Sequence, residues 1–175
     1  MKVSVILKLI NDVGTLILMC IFTSMKIEDA IQQKRPFRNE YHRAVVNLIY
    51  SSNWVQERHR AFLKQYDLTL KQYNVLRILK GADAPISTSV IRERLLDKNA
   101  DVSRIVARLS KKRLVSKKVS KVDKRLVEII LTKEAVNLLM KTTRKEKNLE
   151  SVLHQLSEKE AKQLNNLLNK LRSSE

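Results

Sequence analysis

Helix breakers are scarce in this chain: 175 residues contain two glycines and two prolines. With 30% charged residues beside them, a helix-rich protein with few loops is expected. There is one cysteine, Cys20, so no internal disulfide can form and a reducing compartment fits. The three histidines, His42, His59 and His154, are far apart and lack ligand spacing, so no metal site is expected. The chain also lacks a glycine-rich phosphate loop, a Gly-x-Ser-x-Gly elbow and a His-Glu-x-x-His motif. No catalytic residue, metal or cofactor is expected, and the chain does not read as an enzyme.

Acidic residues are the other shortage. Eighteen Asp and Glu face 35 Lys and Arg, a formal charge of +17, which favours a polyanionic partner such as DNA, RNA or an anionic membrane surface. The distribution is more informative than the total. Arg92 to Arg125 holds thirteen Lys and Arg against four acids, so about half of the excess lies in about a fifth of the chain. That segment has no Phe, Tyr or Trp on which bases could stack, which argues against single-strand binding. At 43% hydrophobic residues, the chain can build a core, and its length suits one domain with helical arms.

Residues 1–24 differ from the rest. Thr15 to Phe22 is an apolar run, extended upstream by a stretch broken by Lys8, Asn11 and Asp12. A membrane span needs about 20 mainly apolar residues, and Lys and Asp inside it are costly. The residues before Ser24 lack the small-x-small pattern of a signal cleavage site. Met25 opens a stretch of ordinary soluble composition, so residues 1–24 are expected to be an apolar extension outside the native protein, with Met25 the true start. An additional structural helix and a membrane anchor remain the alternatives.

Residues 25–38 read as a leader, with Pro36 marking a turn. From 39 to 64 the pattern is helical, with Val45, Leu48 and Ile49 at i, i+3, i+4. Core packing is favoured over a ligand pocket for Trp54 and Phe62. Asp67-Leu68 is a break, and Thr69 with Gln72 forms a capping box. The next helix carries Leu70, Tyr73, Leu76 and Leu79 on one face and closes at Gly81, a preferred residue past a helix end. After a turn at 83–85, Ser87 can cap a helix with Val90, Ile91, Leu95 and Leu96 inward.

Asp97-Lys98-Asn99 is then a turn, with Asn99 the favoured cap. In the helix that follows, Val102, Ile105, Val106 and Leu109 form a stripe to be buried. Its opposite face presents Ser103, Arg104, Ala107, Arg108 and Lys111. Two helices joined by a short turn, the second basic on its free face, are the helix-turn-helix arrangement, whose second helix can enter a DNA major groove. Leu114–Val119 and Leu126–Leu131 read as a hairpin with its tip at 120–125. Lys117, Lys118, Lys121, Lys124 and Arg125 crowd it, which fits a phosphate-facing wing better than a solvated surface. Thr132 caps a long helix beginning its stripe with Ala135, Leu138 and Leu139. Ser157 and Glu160 form a second capping box. The last helix carries Ala161, Leu164, Leu168 and Leu171, widened by Leu167. Dimerisation accounts for that stripe better than packing onto its own domain.

From Pro36 to Leu171 the chain resembles the MarR family of bacterial winged-helix transcription regulators. The residues that carry the likeness are Leu68-Thr69-Leu70-Lys71-Gln72-Tyr73, Asp101-Val102-Ser103-Arg104, Arg108-Leu109, Leu114-Val115, Asp123-Lys124-Arg125 and Leu131-Thr132. The resemblance implies a mainly α fold with a small β-hairpin wing. A winged helix-turn-helix domain at 65–131 would be flanked by a helical dimerisation region at 39–64 and 132–175. It implies a cytoplasmic homodimer that binds double-stranded DNA specifically, as a repressor, on a pseudo-palindromic operator. The contact set would be Ser103, Arg104, Ala107, Arg108, Lys111, Lys121, Asp123, Lys124 and Arg125. Arg125 matches the wing arginine that enters the minor groove, and Asp123 matches the acid that orients the wing. Many members release DNA when a small aromatic effector binds, though no residue here identifies one. The only thiol lies outside the matched region, which argues against thiol sensing. Members commonly have glycine where this chain has Arg113, a place suited to a left-handed helix cap. The alternative function is non-specific nucleic-acid binding, as by a nucleoid or RNA-associated protein, which the charge supports equally well.

Overall fold

The computed structural model describes residues 25–82, 84–119, 127–144 and 151–173. They fall into two compact units, divided between Ser52 and Asn53. The elements are α1 (Ile27–Ala30), α2 (Glu40–Lys64), α3 (Leu70–Lys80), β1 (Ile86–Ser87), α4 (Thr88–Arg94), α5 (Val102–Lys111), β2 (Val115–Val119), β3 (Val127–Leu131), α6 (Lys133–Arg144), a 3-10 turn (Ser151–Leu153) and α7 (Glu158–Arg172).

In the first unit, Ile27 of α1 is buried and Glu28 pairs with Arg43 at 2.5 Å. Asn39 starts α2, its Oδ1 accepting the His42 N–H at 2.9 Å. The apolar residues Val45, Leu48 and Ile49 of α2 stay exposed.

The second unit holds the main core. Leu63, Leu68, Val75, Leu76, Ile91, Val106, Leu109, Ile129, Ala135 and Leu139 pack into one cluster drawn from α2 through α6. The expected capping box at α3 is complete: Thr69 Oγ1 accepts from Gln72 N–H, and Gln72 Oε1 accepts from Thr69 N–H. Gln72 is thereby buried with its polar end satisfied. Ser87 caps α4 by accepting the Val90 N–H. The sheet has three strands in the order β1-β3-β2, all antiparallel, with Val115 opposite Leu131, Lys118 opposite Glu128 and Ile86 opposite Ile129. Helices α4 and α5 with this hairpin make a winged helix-turn-helix. Among the described residues, no helix is long and apolar enough to cross a membrane.

Several sequence expectations need correction. Strand β1 has only two residues and no periodicity to announce it; pairing to β3 creates it. Leu96 is not inward: α4 stops at Arg94, Leu95 turns extended, and Leu96 is 86% exposed. Asp101 caps α5 instead of Asn99, because the turn consumes Asn99, whose N–H donates to Asp97. Gly81 does cap α3, but at φ −85 it uses none of glycine's freedom. Trp54 is exposed and lies against Arg58, 5.1 Å from guanidinium carbon to ring centre, so only Phe62 of that pair packs against the core. Residues 1–24, with Cys20, and the hairpin tip lie outside the described residues.

Candidate nucleic-acid interface

Helix α5 is built to show one face. Val102, Ile105, Val106 and Leu109 are buried, and Ser103, Arg104, Ala107, Arg108 and Lys111 are all exposed, as their spacing requires. Asp101 Oδ1 accepts the Arg104 N–H at 3.0 Å, closing the N-terminus. Arg104 and Arg108 stand one helical turn apart on the exposed face. Both are exposed, and among the described residues neither makes an ion pair.

The turn before α5 is fastened to the core domain. Asp97 accepts the Asn99 N–H at 3.0 Å and pairs with Lys71 of α3 at 2.7 Å. The hydrogen bond from Lys71, helped by the one from Asn99, holds the Asp97 carboxyl below its ordinary value of 3.8. Lys98 donates to the Glu93 carbonyl across the same turn. The sequence showed a turn here but not that Lys71 would brace it, since a contact between residues 71 and 97 has no local signature.

The C-terminal end of α5 meets the expectation set by the resemblance. Arg113 is left-handed, φ 57, where family members commonly carry glycine. Its carbonyl accepts from the Thr132 hydroxyl at 2.8 Å, and Thr132 Oγ1 also accepts the Ala135 N–H, capping α6. On the wing, Lys117 and Lys118 of β2 are exposed, and only Val115 of that strand is buried. Lys121, Asp123, Lys124 and Arg125 lie outside the described residues.

Beside α5 lies an open cleft of about 640 Å³ between the end of α2, the start of α3 and α5. Leu68, Leu70 and Ile105 contribute apolar surface, while Arg60, Lys64, Lys71, Arg108 and Lys112 supply cations against the single acid Asp67. Nothing in the sequence pattern pointed to it, because its walls are three segments far apart in the chain.

The MarR family's sequence model matches residues 66–126. No curated protein matches the chain. Among solved structures, a mutant MarR from E. coli complexed with operator DNA is 21% identical. The match covers 79% of this chain and 99% of that one at a TM-score of 0.70. S. aureus MepR in its DNA complex is 24% identical over 80% of this chain and 100% of that one, with a TM-score of 0.65. The organohalide-sensing RdhR transcriptional regulator bound to 2,4-dichlorophenol is 20% identical over 81% and 86%, with a TM-score of 0.70.

Proposed function

We propose that this chain, which the MarR family's sequence model matches over residues 66–126, is a homodimeric, sequence-specific DNA-binding transcription repressor of that family. The observation that carries this reading is the exposed face of α5, with Ser103, Arg104, Ala107, Arg108 and Lys111 free above a fully buried opposite stripe. Arg104 and Arg108 supply the forked donors that recognise guanine in the major groove, and Lys111 answers phosphates. The wing residues Lys121, Lys124 and Arg125 add phosphate and minor-groove contacts, with Asp123 orienting the tip. The exposed apolar residues of α2 and of α7 are the surfaces a second copy would cover. Two copies place two α5 helices on a pseudo-palindrome with half-sites about 10 bp apart. The cleft beside α5, apolar with a cationic rim, suits a small aromatic anion as effector, and its size falls in the usual ligand range. The protein acts in the cytoplasm, where its operator is.

Fluorescence anisotropy of the Met25–Glu175 protein tests the reading, using DNA upstream of its own gene with scrambled competitor at two salt concentrations. The expected result is binding that survives competition, with one dimer per site and a steep salt dependence. Scrambled DNA that competes as well as the upstream DNA, and as well as DNA selected from a random pool, would leave non-specific nucleic-acid binding as the function.

A further inference from the structure

Two helix ends come together in the second unit, and each is closed by a left-handed residue that is not glycine: Asp67 after α2, φ 52, and Arg113 after α5, φ 57. The closing bonds are the same at both. After α2, Asp67 N–H donates to the Lys64 carbonyl and Leu68 N–H to the Leu63 carbonyl, at 3.1 and 3.2 Å. After α5, Arg113 N–H donates to Ser110 and Leu114 N–H to Leu109, at 2.9 and 3.0 Å. This double bond pattern is the Schellman motif, and its usual apolar contact is present in both, since Leu63, Leu68, Leu109 and Leu114 are buried. An L-residue in this conformation carries a steric penalty, so the surroundings must hold it there.

Lys112 joins the two ends. Its backbone ends α5, and its ammonium donates to the Asp67 carbonyl and lies 2.9 Å from Asp67 Oδ2. The carboxylate is 92% exposed, where an ion pair contributes little. The carbonyl matters more, because it lies just past the negative end of α2, where a cation is favoured. This end of α5 thus has two anchors: the Thr132 hydroxyl on the Arg113 backbone carbonyl, and Asp67 on the Lys112 ammonium.

We propose that Lys112 is a positioning residue. By latching the end of α5 to the end of α2, it sets the angle at which Ser103, Arg104 and Arg108 meet DNA. The proposal rests on the DNA-reading role of α5 given above. It differs from the ordinary reading of a lysine beside a recognition helix, a phosphate contact, because this ammonium is already turned inward onto Asp67.

The test compares Lys112→Met and Asp67→Asn in the full chain, on an operator selected from a random DNA pool and on its scrambled form. Asn keeps the Asp67 carbonyl and tolerates the left-handed backbone. Lys112→Met is expected to lower the operator-to-scrambled affinity ratio roughly tenfold, as loss of a coupling between packed elements does, while the salt slope stays as in wild type. Asp67→Asn is expected to keep the ratio within about twofold. Equal loss on both DNAs with the salt slope reduced by about 1 would make Lys112 a phosphate contact and overturn the proposal. Amide hydrogen exchange without DNA gives a second, independent reading. Lys112→Met should speed exchange at Leu68 and at Leu114 together; unchanged exchange at Leu68 would overturn the latch. If wild type fails to distinguish operator from scrambled DNA, the proposed function fails, and the exchange result alone decides the latch.

Discussion

Helices α5 and α7 are written in nearly the same pattern, yet they end in opposite states. Both place apolar residues at three- and four-residue steps, and both begin with a side-chain cap, Asp101 on one and Ser157 on the other. In α5 the whole stripe is buried by α3, α4 and the sheet. In α7 no residue is buried, and Leu167 and Leu171 are 66% and 62% exposed. Amphipathicity therefore states that a face wants covering, not what covers it. For α5 the cover comes from the same chain, which turns its basic face outward. For α7 the described residues leave the stripe uncovered, and in the dimer proposed above a second copy would cover it, each buried leucine contributing roughly 1.5–3 kcal/mol.

The sharpest break of this comparison is Leu109→Ala. A cavity in the α5 core should cost about 2–5 kcal/mol of stability, read by urea unfolding. A loss under about 1 kcal/mol would mean that this stripe is not tightly packed. Leu167→Asp is the matching change on α7. It should leave the melting of the winged-helix core nearly unchanged while shifting dimer to monomer by about 1.5–3 kcal/mol, measured by sedimentation equilibrium across concentration. An unaltered mass at low concentration would remove α7 from the dimer interface. On the outward face, Arg104→Ala or Arg108→Ala should cost roughly 1–3 kcal/mol of operator binding with unfolding unchanged, if either forks onto a guanine. Wild-type binding by both variants would deny α5 its reading role.

The smallest effect concerns acid. Asp97, before α5, is held below its ordinary 3.8 by the Lys71 hydrogen bond. Glu160, in the α7 cap, is held below its ordinary 4.5 by hydrogen bonds with Ser157. Both folded values lie below the unfolded ones, so the charged forms favour the fold. Their contribution is complete above the ordinary values and is lost as pH falls through the depressed ones. Stability should be level in these groups above about pH 5 and decline below about pH 4, with Asp97→Asn flattening the decline. A decline unaffected by that substitution would assign it to other carboxylates.

Much of the fold and of the candidate interface was legible in the chain. Four apolar positions on α5 named its buried face, and the five polar or small positions between them followed by geometry. The capping boxes at Thr69 and Ser157 were visible because each donor and acceptor lies within three residues. The misses share a cause. Asp101 displaced Asn99 as the cap because Asp97 and Lys71, 26 positions apart, had already ordered the turn. Leu96 was assigned inward by a helical period that ends two residues earlier. Gly81 closes α3 as read, but the left-handed conformations fall on Gln32, Asp67 and Arg113 among the described residues. Only the resemblance pointed to Arg113.

By itself, then, the sequence determined the local matters: which stretches are helices, the capping boxes at Thr69 and Ser157, which face of each helix is apolar and where positive charge gathers. These follow from spacing within a few residues, where backbone geometry leaves few choices. Tertiary structure alone decided which apolar faces are covered, that Ile86 and Ser87 become a strand, that Lys71 braces the turn and that Lys112 reaches Asp67. Each of those depends on groups brought together across tens of residues by the burial of a shared core, and no local pattern carries that information.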